Sequence, residues 1–143
     1  MGIVFEVKKG GTTVISLTEY SIKDFEFTSE SSEDLDLQHN KIIKGITISG
    51  IINPDSISDN ENGTSMGREV DSVRKLANWA VIPEYLDCYK DINYKITDAR
   101  GVVVKEDSFV DCFVVEYEES FSDENGTGRF KTVLREKGRM VWA

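Results

Sequence analysis

The chain has few of the residues on which catalytic and metal sites are usually built. Its 143 residues include one histidine and two cysteines, too few to complete a metal-binding motif. No apolar run approaches the roughly 20 residues that a membrane-spanning helix needs. The first residues, MGIVFEVK, lack the basic and long apolar stretches of a signal peptide. These absences predict a protein that starts in the cytoplasm and has no membrane anchor.

Positive charge is also scarce. The 17 lysines and arginines stand against 26 aspartates and glutamates, which gives a formal net charge of −9 and a pI near 4.6. An acidic protein repels phosphate backbones, and no cluster of basic residues offsets that repulsion here. We therefore expect no nucleic-acid partner.

The two cysteines, Cys88 and Cys112, both lie in apolar, strand-like segments. Free cysteine is among the most frequently buried residue types, and no export signal points to an oxidising compartment. The sequence predicts two buried thiols. A disulfide between them can form only if their strands are neighbours.

Alternation of apolar and polar residues dominates the first half of the chain, as expected for strands. It runs through residues 3–7, then from residue 14 to residue 27, and again from residue 42 to residue 52. A change of parity near Lys23 and Asp24 predicts a bulge. Residues 28–41 (TSESSEDLDLQHNK) are polar, acidic and rich in serine, which predicts a long protruding loop between two strands.

One segment has helical spacing. Residues 68–82 carry Val70, Val73, Ala77, Ala80 and Val81 within one stripe, and Pro83 ends the segment. Trp79 projects away from that stripe. It must therefore meet another part of the chain or another subunit.

The last third alternates again, with Ile92, Tyr94 and Ile96 on one face, and later Phe113, Val115, Tyr117 and Phe121. A turn at residues 99–101 and a hairpin signal at residues 123–126 separate these strands. Short strands with one helix predict a mainly β protein: a small antiparallel barrel with the helix of residues 68–82 outside. We expect residues 1–143 to form a single domain.

The sequence contains no recognisable catalytic, cofactor-binding or metal-binding motif. His39 stands alone in the predicted loop, without the rigid neighbours that a catalytic histidine needs. Residues 55–63 invite a calcium interpretation, yet the EF-hand pattern fails at its sixth and twelfth positions, Asn60 and Met66. Glu116 and Glu118 would lie about 7 Å apart on one strand face, which favours a solvated or interface row over a glycosidase pair. We predict that the chain is not an enzyme and has a binding or architectural role.

The C-terminal half carries a family resemblance. The segment DCFVVEYEESFS at residues 111–122, the glycine turn after it and the strand at residues 129–135 resemble haemolysin-coregulated proteins, which form the inner tube of type VI secretion. Leu76 and Trp79 match the Leu-x-x-Trp helix of that group. Residues 20–22, the long segment after them and residues 45–48 follow the same order. The acidic composition of residues 28–41 and the length of residues 53–67 differ from the family pattern, so extracellular injection particles, tailocins and phage tails stay open as the system.

The resemblance implies a β-barrel subunit that assembles into stacked hexameric rings. It implies partners as well: other copies of itself, a sheath, a baseplate or spike, and effector proteins carried in the tube. Such a subunit would be cytoplasmic before assembly and extracellular after firing. The subunit interface expected from it comprises Thr28, Glu30, Glu33, Asp34, Leu35, Leu37, His39 and Trp79.

Two other functions stay open at this stage. A monomeric barrel or sandwich could bind a peptide or glycan through its loops. A hydrolase using the carboxylates around Glu116 is a third hypothesis, which the absence of a sugar-binding cluster in the sequence disfavours.

Overall fold

The computed structural model describes residues 1–34, 39–52, 65–82, 88–122, 124, 126–137 and 139–142; of residues 30–34, 39–42, 65–68 and 139–142 it describes the backbone alone. Within these residues the elements are β1 Gly2–Lys9, β2 Thr12–Thr18, β3 Ile22–Asp34, β4 His39–Ile52, α1 Ser65–Ala80, β5 Lys90–Thr97, β6 Val103–Ser122, β7 Thr127–Glu136 and β8 Arg139–Trp142. The predicted mainly β class is confirmed, and so is the one flanking helix, which begins three residues earlier than expected.

All strands belong to one antiparallel sheet with the order β2-β1-β5-β6-β7-β4-β3, and β8 pairs with the outer part of β4. The long strand β6 serves two partners. Its residues 103–112 pair with β5, and its residues 112–122 pair with β7. We call β2, β1, β5 and residues 103–112 the first layer. Residues 112–122, β7, β4 and β3 form the second layer.

The bend of β6 between the layers lies at Asp111. This residue has a φ of 53°, the one positive value at a non-glycine position among the described residues, and aspartate tolerates that conformation better than most residues. The register with β5 shifts here, between Lys90 and Ile92, and such a bulge bends a strand. Two hydrogen bonds hold the bend: the Asp111 N–H donates to the Asp91 carboxylate over 3.1 Å, and the Lys137 N–H donates to the Asp111 carbonyl over 2.9 Å.

The core lies between the two layers. Phe25 of β3 contacts Tyr94 of β5, with ring centroids 4.7 Å apart, and Phe27 contacts Phe109 of β6 at 5.9 Å. These contacts join strands that are far apart in the sheet order, so the bent β6 folds the first layer across the second. Each large apolar side chain buried in this way contributes about 1.5–3 kcal/mol. The alternation of strands β1, β2 and β5 predicted from the sequence is confirmed by their alternating burial.

Helix α1 packs against the first layer with a different face from the one predicted. Val73, Leu76 and Trp79 are buried in the core, whereas Val81 is 78% exposed. The helix ends with N–H groups of Val81 and Ile82 bonded three residues back, a tight final turn ahead of Pro83. The apolar stripe predicted the wrong face because two residues of the buried face, Glu69 and Ser72, are polar and are bonded to β2.

The predicted closed barrel is wrong. Strands β2 and β3 are the two ends of the sheet order and share no ladder among the described residues. A side chain of α1 occupies the place where a closing strand would lie: the Ser72 hydroxyl accepts the Ser16 N–H of β2 over 3.1 Å. The chain instead passes from β2 to β3 through a short corner, where the Ser21 N–H donates to the Thr18 carbonyl.

Gly50 allows this corner to lie close to β4. The Ile51 N–H donates to the Ser21 carbonyl over 2.9 Å. A Cβ atom at Gly50 would lie 1.8 Å from that same Ser21 oxygen, so a larger residue there would force the backbone apart. The first and second layers are therefore joined tightly at the start of β3.

The predicted loop at residues 28–41 is also wrong. Residues 28–34 belong to β3 and pair in register with residues 39–45 of β4, from Thr28↔Gly45 to Asp34↔His39. We call these two strand segments the arm. Strand β4 pairs with β7 from Gly45 to Ile52, whereas its earlier residues 39–42 pair with β8. Alternation of apolar and polar residues arises when one face of a strand is buried. Backbone pairing does not require it, so the sequence gives no sign of these strands. Leu35 to Gln38 lie outside the described residues.

Two bulges bear on the strand predictions. The register of β3 shifts between Ile22 and Asp24, which confirms the bulge predicted near Lys23. A second shift, between Val114 and Glu116 of β6, was not predicted. It moves Val115 to an exposed position, so the apolar face expected for residues 113–121 is divided into two.

Candidate functional site

Strand β3 presents an unpaired edge along the second layer. It is 13 residues long and pairs with β4 alone. An edge strand of this length offers a row of N–H and C=O groups to another chain. No proline interrupts it. The described part of the chain therefore leaves this edge available.

Residues 113–122 of β6 form the opposite edge of the same layer. They pair with β7 on one side, whereas the pairing with β5 ends at Cys112. Most of their side chains are exposed on both faces, and Phe121 is 63% exposed. The second layer is thus a four-stranded sheet with two open edges.

The two edges of the first layer are capped in part by side chains. On β2, the Thr18 N–H and hydroxyl both donate to Glu69 of α1. On the first part of β6, the Ser108 N–H donates to Asp107 over 2.8 Å and the Val110 N–H to Glu136 over 3.2 Å. Covering or capping an edge is a common protection against uncontrolled pairing. The contrast with the second layer makes its two open edges the candidate functional site.

The outward face of the second layer has a charge pattern that follows the strands. Asp24 of β3 is opposite Ser49, which is opposite Lys131 of β7, and Lys131 is opposite Glu118 of β6. The Ser49 hydroxyl donates to Asp24 over 3.3 Å. Both outer strands are acidic and β7 between them is basic. Glu118, through its hydrogen bond and its charge, raises the pKa of the neighbouring Glu116 above its usual value.

Tyr117 lies on the inward side of the same strand. Burial raises the pKa of its hydroxyl, and the hydrogen bond to Glu119, 2.8 Å long, raises it further. The Thr132 hydroxyl donates to the Glu116 carbonyl over 3.2 Å. The Thr132 bond and the backbone ladder join residues 116–119 to β7, and the Tyr117–Glu119 bond lies within β6 itself. An edge strand must be held in a defined register if it is to pair with another subunit.

The interface residues predicted from the sequence are distributed differently from the expectation. Thr28, Glu30, Glu33, Asp34 and His39 lie on the strands of the arm. Leu35 and Leu37 fall outside the described residues. The sequence does not indicate that the arm is a pair of strands, because residues 28–41 show no alternation of apolar and polar residues.

Trp79, which the sequence places at the subunit interface, is buried within the chain. Its side chain is 2% exposed, and its indole N–H donates to the Cys88 carbonyl. It therefore meets another part of the same chain, one of the two possibilities open from the sequence. The predicted burial of Cys88 and Cys112 is confirmed, and both thiols are free.

The sequence also did not single out the exposed valines at the end of the β5–β6 hairpin. Val102, Val103 and Val104 are 56%, 48% and 67% exposed. Three consecutive apolar residues beside a turn, without alternation, were the signal. Exposed apolar patches mark interaction sites more often than isolated residues do.

Among the described residues no cluster of three metal-ligating side chains occurs, and no helix is long and apolar enough to cross a bilayer. The calcium hypothesis falls on residues 55–63, which lie outside the described ranges.

Comparison with known proteins finds no protein-family model that matches the chain and no curated protein with significant sequence similarity to it.

Proposed function

We propose that this chain is a self-assembling structural subunit, the inner-tube protein of a contractile injection apparatus, which forms rings by joining the two open edges of its second layer. The observation that carries the proposal is the pair of unpaired edges, β3 and residues 113–122 of β6, on the second layer, whereas side chains cap N–H groups on the edges of the first layer. The role in injection, as opposed to another ring or filament, is supported by the family resemblance of residues 111–135.

The strand directions permit such a join. Neighbours in the second layer are all antiparallel, so β3 and β6 at its two edges run in opposite directions. Joining β6 of one subunit to β3 of the next therefore continues the antiparallel pattern. The contact is heterologous, with different surfaces on the two subunits, and such contacts produce closed rings when the rotation between subunits closes.

The proposed assembly is a stack of hexameric rings whose channel carries effectors, surrounded by a sheath and attached to a baseplate or spike. The subunit would then be cytoplasmic before assembly and part of an extracellular particle after firing. Ring formation would also remove the two open edges, which in a monomer are a risk for aggregation. No catalytic role is proposed for it.

The first test is the oligomeric state of the purified chain, by light scattering and negative-stain microscopy of the same peak. We expect six-fold rings with a central hole, or stacks of them. A monomer at every concentration, with or without molecular crowding, would overturn the proposal.

A pair of proline variants tests the edge itself. Successive N–H groups of a strand point to opposite sides, so Glu118→Pro and Glu119→Pro remove one N–H facing β7 and one facing the open edge. We expect one of the two to keep its fold and lose the rings. Ala99→Pro is the matched control, because Ala99 occupies the second position of the turn closed by Gly101 and Asp98, where proline is favoured. Rings formed by both folded proline variants would reject edge pairing.

A monomeric binding module is the second candidate, and one observation favours it. A surface groove of about 520 Å³ lies on the second layer and is lined by charges of both signs, among them Lys23, Asp24, Arg129 and Lys131. This function predicts a strict monomer whose melting temperature rises with a peptide or glycan ligand. A ring without any ligand-dependent stabilisation would exclude it.

A further inference from the structure

The two open edges of the second layer carry charge of the same sign. Two rows of directly opposite residues cross the outward face of this layer from one edge to the other. One row comprises Glu26 of β3, Thr47 of β4, Val133 of β7 and Glu116 of β6. The next row comprises Asp24, Ser49, Lys131 and Glu118 on the same four strands. Each row therefore begins and ends with an exposed carboxylate.

Joining these edges brings the carboxylates of two subunits together. The aromatic side chains of β3 stay on the core side, so the outward faces of both subunits lie on the same side of the joined sheet. In the straight continuation of the rows, Glu116 is opposite Glu26 of the next subunit, and Glu118 is opposite its Asp24. A shift of the register by two residues in either direction still leaves at least one such pair. Like charges directly opposite each other in a sheet oppose pairing.

We propose that the carboxylates at the two open edges make assembly depend on pH: near neutral pH they repel one another across the join, and protonation in mild acid allows the edges to pair. This inference rests on the proposed function and adds its regulation. Charged side chains on edge strands are a common protection against uncontrolled pairing. Here they would protect both edges of the second layer without covering either of them.

The other charged groups of this face do not cancel the repulsion. Lys131 is opposite Glu118 and lowers the pKa of Glu116, but the hydrogen bond and the charge of Glu118 raise that pKa more. The Lys23 ammonium donates to the Glu19 carbonyl over 3.2 Å, which holds it at the corner between β2 and β3. The β4 positions of both rows are uncharged. The charged groups beside the four carboxylates are Lys23 of β3 and Arg129, Lys131 and Arg135 of β7.

The direction of the pH dependence follows from the charges that each join adds. A like charge nearby raises the pKa of a carboxyl group, and the join places Asp24 and Glu26 of one subunit beside Glu116 and Glu118 of the other. The joined edges therefore bind more protons than the separate subunits do. Association strengthens as the pH falls from neutral toward the ordinary carboxyl range of about 4. The gain is at most about tenfold per pH unit for each proton taken up.

Ring formation by the full chain at two pH values tests this proposal. Mass photometry and sedimentation velocity are measured at about pH 7.5 and about pH 5, with a chelator present so that no divalent cation bridges the carboxylates. We expect rings to appear at a protein concentration about tenfold lower in the acidic buffer. At about pH 7.5, raising potassium chloride from about 0.1 M to about 1 M shortens the screening length from about 10 Å to about 3 Å and should also favour rings.

Matched variants separate the edges from the overall charge. They are needed because the pI is near 4.6, and a protein associates more readily as its net charge approaches zero. Glu116→Gln with Glu118→Gln should flatten the pH dependence and favour rings at neutral pH. Glu6→Gln with Glu106→Gln removes two charges from the first layer instead and should keep the pH dependence of the parent.

A charge exchange reverses the expected effect. Glu116→Lys with Glu118→Lys makes the facing pairs attractive, so rings should form at neutral pH at a concentration about tenfold lower than for the parent, and acid should then weaken them. Adding Asp24→Lys and Glu26→Lys should restore the repulsion and remove the dependence on acid. Urea denaturation checks that each variant is folded.

The outcomes distinguish this inference from the proposed function. Rings that form equally well at both pH values, or a glutamine variant with the full pH dependence of the parent, would reject the charge control and leave ring formation standing. Open filaments that form in acid with the expected response to the charge exchange would retain the control and reject the ring. A chain that stays monomeric at both pH values and in every variant would reject both.

Discussion

Strands β2 and β3 form the two ends of one sheet and follow each other in the chain. They differ in whether another element covers the outer edge. The outer N–H groups of β2 at Ser16 and Thr18 are bonded to Ser72 and Glu69 of α1. The outer edge of β3 has no ladder partner in the described chain. The difference shows that α1 covers one end of the sheet and leaves the other uncovered. The 13-residue strand β3 is therefore the edge on which the proposed assembly depends.

The largest effect is expected from loosening the helix that covers β2. Leu76→Ala removes a fully buried side chain of α1 and should lower the free energy of unfolding by about 2–5 kcal/mol, because a cavity replaces it. Urea denaturation measures this loss. Val81→Ala, at the exposed end of the same helix, is the control and should change stability by less than about 0.5 kcal/mol. Equal losses for both variants would mean that α1 does not pack as described.

The polar contact on β2 should have a smaller effect. Ser72→Ala leaves the Ser16 N–H without its acceptor, because the hydroxyl that accepts it at 3.1 Å is removed. We expect a loss of about 0.5–1.5 kcal/mol, the usual net contribution of one hydrogen bond, because this bond is only partly buried. Slower amide exchange at Ser16 in the variant than in the parent would contradict the role of Ser72 as the cover of that edge.

Glu69 makes the stability contributed by the contact between α1 and β2 depend on pH. Burial raises the pKa of its carboxyl above the ordinary value of 4.5, although hydrogen bonds from Thr18 oppose this increase. The folded state therefore binds the proton more tightly than the unfolded state does. This contribution to stability is complete below pH 4.5 and is lost as the pH rises through the folded-state pKa, with a slope of at most about 1.4 kcal/mol per pH unit for one proton. Glu69→Gln should flatten that part of the stability profile, and an unchanged profile would contradict the assignment.

The smallest effect on stability, and the clearest on assembly, is expected at the open edge. Thr28→Lys adds a lysine to exposed β3 and should change the free energy of unfolding by less than about 0.5 kcal/mol. Edge lysines oppose pairing with another strand, so rings should become fewer in mass photometry. Thr12→Lys makes the same chemical change at an exposed position of the covered strand β2 and should leave the rings unaffected.

The sequence predicts those parts of the fold in which burial is one-sided. Alternation located β1, β5 and the bulge near Lys23 because each has one face in the core. It did not reveal the arm, because residues 28–41 show no alternation and backbone pairing does not require it. The helix face was misplaced because Glu69 and Ser72 are polar, and only their partners on β2 explain why they turn inward.

The candidate site was less accessible to sequence reasoning for a related reason. An open edge is a property of the strand order, which local periodicity does not contain. The division of β6 between two layers depends on Asp111 and on bulges opposite Lys90 and Val133, none of which has a distinctive pattern. Family resemblance placed the interface on residues 28–41 and Trp79. In the described residues the first is a pair of strands, and Trp79 is buried in the core.

The most direct test of the account is amide hydrogen exchange of the full chain, measured by mass spectrometry in dilute solution and at a concentration where assemblies form. The account predicts that exchange slows on assembly in β3 and in residues 113–122 of β6, while β2 is protected equally in both samples. Unchanged exchange in β3 and β6 within an assembled sample, or new protection confined to other strands, would contradict the claim that these two edges join the subunits.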